Sequence, residues 1–120
     1  MRVLLGMTTI AWRVIHLAAW TDVYRDWTFG DARLGLHDVE VPGDAASGLA
    51  WLYRAQDDFM ESVDALDHTS VFELRPAHWG ESLTVARLVS LMLVEHVHHI
   101  AEIGVLRDVR CGHARLRPMP

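Results

Sequence analysis

The 120-residue chain contains no lysine, no asparagine and only one cysteine, Cys111. A single cysteine excludes an internal disulfide framework and is typical of a protein from a reducing cytoplasm, so we expect a cytoplasmic location. The formal net charge of −5 argues against nucleic acid as a partner. We attribute the exclusive use of arginine among the 11 cationic residues to codon bias and not to function.

Long apolar runs and several familiar motifs are also absent from the sequence. The longest apolar run covers only a handful of residues, which predicts no transmembrane span and no membrane as a partner. The residues after Arg2 lack the cleavage pattern of a signal peptide. The chain has no phosphate-binding loop, no glycine-rich dinucleotide turn and no nucleophile elbow. The common nucleotide-dependent and serine-hydrolase classes are therefore not indicated.

Apolar residues at helical spacing predict an all-α fold with three long helices in an up-down bundle. The predicted helices cover residues 8 or 9 to 30, 44–66 and 82–112. Asp44 and Ser82 are the expected N-caps of the second and third helices. Residues 31–43 and 67–81 are predicted as loops, without strands. We expect one domain over residues 1–112 and a flexible tail at residues 113–120.

The predicted second and third helices differ in how their apolar residues are distributed. The second helix has one expected buried stripe. Its members are Leu49, Leu52, Tyr53, Gln56, Phe59, Met60, Val63 and Leu66. The third helix is apolar around nearly its whole circumference between Leu88 and Val94, so it needs neighbours on several sides. Two partner helices cannot cover it, and we expect a homodimer.

Glu95 and His99 lie one turn apart in the apolar stripe of the predicted third helix. Burying an unpaired carboxylate is costly, so Glu95 needs a partner, and a divalent metal shared with His99 would be one. His16 occupies the corresponding stripe of the first helix. If both stripes face one core, His16, Glu95 and His99 converge as three ligands with open positions, the pattern of a catalytic site. Mixed nitrogen and oxygen ligands suit Zn, Ni, Mn or Fe.

Two simpler interpretations fit the same residues. A single histidine in an apolar stripe is usually a core residue with its hydrogen bonds satisfied, and Glu95 and His99 alone could form a buried hydrogen-bonded pair. His96 and His98 are predicted to point away from the stripe. The remaining histidines lie in predicted loops or in the tail and carry no metal signal. They are His37, His68, His78 and His113.

Three segments, residues 9–18, 27–30 and 95–108, resemble the DinB-like superfamily, most closely its actinobacterial branch near mycothiol-dependent maleylpyruvate isomerase. The resemblance implies a four-helix bundle with a metal held by three residues. In this branch the triad is His, Glu and His, which falls on His16, Glu95 and His99. His98 and Glu102 are then candidates for orienting the ligands.

The resemblance implies a function that uses the metal and a small thiol such as mycothiol. The metal would activate the thiol for transfer to an electrophile or for a cis–trans isomerisation. Two alternatives remain: a non-catalytic metal-binding or stress-linked module, and a structural bundle that assembles with a partner. In one respect the chain departs from the family. A helix and a long loop normally precede the segment that begins at Thr9, and here only about eight residues do, so we expect the first family helix to be missing.

Overall fold

The computed structural model describes residues 9–112, in which three α-helices dominate. The helices are α1 (Ile10–Phe29), α2 (Ala45–Asp64) and α3 (Val85–Gly112). Short 3-10 helices at Leu36–Asp38 and Ser70–Phe72 and the strands β1 (Leu74–Pro76) and β2 (Ser82–Thr84) lie in the connections. The all-α class and the three long helices are confirmed. The predicted tail at residues 113–120 lies outside the described residues.

The first two helices begin where local hydrogen bonding predicts. Thr9 Oγ1 accepts a hydrogen bond from the backbone N–H of Trp12 at 3.0 Å. Asp44 Oδ1 accepts one from the N–H of Ser47 at 2.8 Å. Each side chain satisfies a backbone donor that has no partner inside the first turn of a helix. The N-cap expected at Asp44 is therefore confirmed, and that of α1 is Thr9.

The predicted start of the third helix was wrong, because Ser82 belongs to a strand. Residues Leu74–Pro76 pair antiparallel with Ser82–Thr84, and the N–H of Val85 donates to the carbonyl of Glu73 at 2.9 Å. The helix starts only at Val85. Strands of three residues are too short to show an alternating pattern, so the expectation of a strand-free loop at residues 67–81 was also wrong.

The buried face of α2 is rotated from the predicted stripe. Leu49, Tyr53 and Met60 are exposed. The buried residues are Gly48, Trp51, Leu52, Ala55 and Phe59. This orientation brings Gly48 close to α1. A Cβ atom added at Gly48 would lie only 3.0 Å from Ile15 Cδ1 of α1, so the contact fits a glycine. Small residues let the two helices approach closely, and hydrophobicity alone does not predict such a contact.

Two clusters of buried side chains make up the core. The first lies between α1 and α2 and contains Leu17, Ala18, Ala19, Trp51, Leu52 and Ala55. The second lies where the hairpin and α3 meet the other two helices and contains Tyr24, Phe59, Ala77, Leu88 and Met92. The predicted stripe of α3 is thus directed at α1, which fixes the surroundings of Glu95 and His99.

The opposite side of α3 is uncovered among the described residues, as its composition predicts. Its exposed large apolar residues are Leu93, Val94, Val97, Ile100, Val105 and Val109. By length and composition alone this helix would suffice to cross a membrane, a criterion that core helices of soluble proteins also meet. Leu88, Met92 and His99 of this helix are buried against the rest of the described fold, and 17% of its most apolar window is buried.

Candidate metal centre

The three residues predicted from the helical stripes come together between α1 and α3. His16, Glu95 and His99 each present one ligand atom, and these atoms all lie within 4.8 Å of one another. His99 is 7% exposed, and the other two residues are half-buried. The i, i+4 spacing places Glu95 and His99 on one face of α3, and α1 supplies His16 opposite them. Their role as metal ligands stays a prediction.

Direct contacts fix the orientation of the two imidazole rings. His99 Nε2 lies 3.1 Å from Glu95 Oε2. The centroids of the His16 and His99 rings are 4.6 Å apart, and His16 stacks on Trp12 with a centroid separation of 4.5 Å. Both rings are therefore held in place by neighbours on either side, which favours a defined geometry over a mobile pair of side chains.

Arg13 lies on the other edge of His99 and was not identified from the sequence. Its Nη1 atom is 2.9 Å from His99 Nδ1, and its guanidinium also forms an ion pair with Glu102. A guanidinium has only donors, so Nδ1 must be the acceptor. His99 therefore carries its proton on Nε2 in this arrangement and donates it to Glu95. The sequence does contain one signal for Arg13: it lies three residues before His16, and this spacing places both residues on one face of α1.

Burial lowers the pKa of both histidines below the ordinary value of 6.5. For His99, loss of solvation is the main cause, and the Glu95 carboxylate opposes it. For His16, loss of solvation again dominates, followed by the nearby His99. Both rings are thus neutral near pH 7, the form that binds metal. In acid, the unfolded chain therefore binds more protons than the folded chain. The free energy of unfolding of the metal-free protein falls as the pH drops below about 6.5.

The two residues predicted to orient the ligands have different positions. Glu102 Oε2 lies 3.8 Å from Nδ1 of His99, one of the candidate ligands. His98 is exposed, and its Nε2 lies 3.0 Å from Glu102 Oε1, so it contacts Glu102 and not Glu95. His98, His99 and Glu102 form a second group with closely spaced ligand atoms. The Arg13 guanidinium lies against that group and opposes the binding of another cation there.

His96 points away from this cluster. Its Nδ1 lies 3.0 Å from the carbonyl oxygen of Met92, and its Nε2 lies 3.4 Å from Thr21 Oγ1 on α1. Thr21 in turn donates to the carbonyl of Leu17 at 2.6 Å. His96 therefore connects α3 to α1 through polar contacts and does not join the set formed by His16, Glu95 and His99.

A pocket of about 420 Å³ adjoins the cluster. It is lined by His16, Trp20, Tyr24, His78, Trp79 and Glu95. His78 and Trp79 come from the turn between β1 and β2, in a segment to which the sequence assigned no function. Gly80 with φ of 100° completes that turn. The candidate ligands therefore border a space that is large enough for a small molecule.

Comparison with known proteins identifies a family. A family model of the DinB superfamily matches residues 4–103. No curated protein and no solved structure shows a significant match to the chain. The family match covers well over half of the sequence and includes His16, Glu95 and His99. By sequence and by its helical fold, this chain belongs to the DinB superfamily.

Proposed function

We propose that the protein is a metal-dependent enzyme that uses a low-molecular-weight thiol such as mycothiol, as in the actinobacterial isomerase branch of the family. One divalent ion, Zn, Ni, Mn or Fe, would be held by His16, Glu95 and His99. The reaction would be transfer of the thiol sulfur to an electrophile, or a cis–trans isomerisation through a reversible adduct. The observation that carries this proposal is the convergence of three ligand atoms within 4.8 Å at the edge of a pocket.

The chemistry of the donor set fits a divalent ion. Two neutral imidazoles and one carboxylate are common ligands of catalytic zinc and related metals, and three protein ligands leave positions open for another molecule. Because His16 and Glu95 line the pocket, those positions would face the space in which a small molecule fits. When bound there, the metal would lower the pKa of a coordinated thiol and so favour the nucleophilic thiolate at neutral pH.

Glu102 would provide the hydrogen-bond acceptor that a metal-binding His99 requires. If Nε2 of His99 binds the ion, its proton must move to Nδ1, which then needs an acceptor in place of the Arg13 donor. Glu102 Oε2, 3.8 Å from Nδ1, is the carboxylate that can accept it. Arg13 already forms an ion pair with Glu102, so it can hold this carboxylate beside the ring.

The substitution Glu102→Gln is expected to weaken metal binding by about 10- to 100-fold, because it removes the charged acceptor of the His99 proton. The measurement is competition with a coloured chelator at pH 7. Glu61→Gln, at an exposed position on α2, is the matched control and should keep the affinity of the wild type. Equal affinities in the wild type and both variants would contradict the role assigned to Glu102.

The catalytic part of the proposal predicts metal-dependent thiol transfer. Metal-free protein would be loaded with each of the four metals and mixed with mycothiol, cysteine or glutathione and an electrophile such as 1-chloro-2,4-dinitrobenzene. A Cys111→Ser background removes the exposed thiol of the chain itself. We expect rate acceleration with at least one pair of metal and thiol, and none after chelation. No acceleration with any pair would contradict the enzymatic function.

The same experiment separates the alternatives. Metal binding without turnover would favour a non-catalytic metal-binding or stress-linked module. Absence of metal binding would favour a structural bundle, in which the hydrogen bond between His99 and Glu95 links two turns of α3. The apolar face of α3 that residues 9–112 leave uncovered also fits a protein that assembles with a partner.

A further inference from the structure

We propose that Trp20, Tyr24, His78 and Trp79 form an aromatic wall that binds the electrophile, and that this electrophile is a flat, uncharged, conjugated carbonyl compound. The inference rests on the proposed function of the neighbouring metal centre and specifies its second substrate. Two helical residues and two residues from the hairpin turn contribute, so the wall exists only in the folded chain.

The rings of the aromatic wall contact one another around His78. Its centroid lies 4.5 Å from that of Trp20, 4.8 Å from that of Trp79 and 5.5 Å from that of Tyr24. The angles between these ring planes are 40°, 85° and 70°, so the wall presents both faces and edges. Flat π-systems bind such surfaces by offset stacking and edge contacts.

The hairpin holds its part of the wall in a fixed position. The N–H of Ala77 donates to the carbonyl of Glu81 at 2.7 Å, and the N–H of Gly80 donates to the carbonyl of Ala77 at 2.9 Å. The indole N–H of Trp79 contacts the Glu81 carboxylate. Ala77 is buried in the core beside Leu88. The wall is therefore formed before a ligand arrives, which reduces the entropy lost on binding.

The charges around the pocket favour an uncharged ligand. Glu95 is the only carboxylate among the six described lining residues, none of which is a lysine or an arginine. With a divalent ion in place, the charge of Glu95 and that of a coordinated thiolate would together balance the charge of the ion. Burial lowers the pKa of His78, so this ring is neutral near pH 7 and supplies no cation for a carboxylate. Burial, together with the Glu95 charge, raises the pKa of Tyr24, so its hydroxyl stays protonated and can donate a hydrogen bond to a carbonyl oxygen.

The reaction of a thiol with such a compound balances without a further reactant. The thiol releases its proton, and the thiolate sulfur forms a bond to the β-carbon of the conjugated carbonyl. The electron pair of the carbon–carbon double bond forms a new double bond between the α-carbon and the carbonyl carbon, and the electron pair of the carbonyl double bond moves onto its oxygen. The Tyr24 hydroxyl can stabilise the charge that develops on this oxygen. A proton then adds at the α-carbon, and the product is the saturated thioether.

The test compares two electrophiles that differ in one group. Cinnamaldehyde carries a phenyl ring where crotonaldehyde carries a methyl group, and each enzymatic rate is divided by the uncatalysed rate. Metal-loaded full-length Cys111→Ser protein should prefer cinnamaldehyde in kcat/KM. Trp79→Leu should reduce that preference by about 5- to 10-fold, because one ring of the wall is lost. Phe72→Leu, at an aromatic residue that is 74% exposed, should leave it unchanged.

The outcomes keep this inference separate from the proposed function. Equal loss of rate with both aldehydes in Trp79→Leu, with no change in preference, would overturn the aromatic wall. If the wild type adds thiols to neither aldehyde but transfers them to 1-chloro-2,4-dinitrobenzene, the assignment of a conjugated carbonyl electrophile fails and the proposed function stands. If it accelerates none of these reactions, the proposed function fails, and calorimetry with unreactive cinnamyl alcohol then tests the wall by itself. Binding that Trp79→Leu abolishes supports the wall, whereas absent binding or equal binding overturns it.

Discussion

The His99→Ala variant is expected to bind a divalent ion more than about 100-fold more weakly than the wild type, since removing a ligand exceeds the effect of removing a group that orients one. His99 is the most buried of the three candidate ligands, and it contacts both Glu95 and Arg13. Protein purified without a polyhistidine tag should carry up to one ion per chain, and the variant almost none. Metal analysis by mass spectrometry measures the content, and chelator competition measures the affinity.

Variants at two histidines outside the candidate site serve as controls. His37 is exposed in the first 3-10 helix, and His37→Ala should retain the metal. His113→Ala, in the segment beyond the described residues, should also retain it. Thermal unfolding of the metal-free proteins shows whether the His99→Ala variant still folds. A second variant, Glu95→Gln, removes the charge of a candidate ligand while the volume of the side chain hardly changes. Equal metal content in the wild type, His99→Ala and Glu95→Gln would contradict the ligand assignment.

The second large effect concerns assembly, because we propose that the exposed face of α3 pairs with the same face of a second copy. Leu93, Val97 and Ile100 are spaced by four and three residues and are each more than half exposed. In a two-fold contact each of these residues meets the equivalent surface of the other copy. An uncharged strip can pair in this way without repulsion, even though the chain carries a net charge of −5.

Size-exclusion chromatography with light scattering at micromolar concentration should give twice the monomer mass of 13.6 kDa. The substitution Val97→Glu should produce monomers or aggregates, because two carboxylates would face each other in the interface. Tyr53→Glu, at a position on α2 that is 58% exposed, should leave the dimer intact. A monodisperse wild-type monomer with cooperative melting would show that the three helices suffice alone.

Local signals explain which parts of this structure could be predicted from the sequence. The side chains of Thr9 and Asp44 bond to backbone atoms three residues away, so their capping roles depend on nearby sequence alone. Helical periodicity likewise placed Glu95 and His99 on one face of α3. The prediction that His16 meets them needed one further assumption, that the two apolar stripes share a core, and the structure has that arrangement.

Contacts between distant segments explain what could not be predicted. The orientation of α2 depends on the fit of Ile15 against Gly48, which a hydrophobic pattern does not register. The strands are three residues long, so neither shows a periodic pattern. His78 joins the pocket only because the hairpin folds back onto α1, where the ring meets Trp20 and Tyr24. In the sequence, His78 is an ordinary loop histidine.

The division of the pocket between helices and a hairpin turn makes its two halves independently variable. The candidate ligands lie on α1 and α3, whose backbones must keep their helical register. The turn between Ala77 and Glu81 is closed by its own hydrogen bonds, so the exposed residue Trp79 within it can change without moving those helices. If the aromatic wall binds a ligand as proposed, randomising Trp79 would vary the selectivity of the pocket while the helical scaffold is retained, which makes this turn a starting point for engineering new specificities.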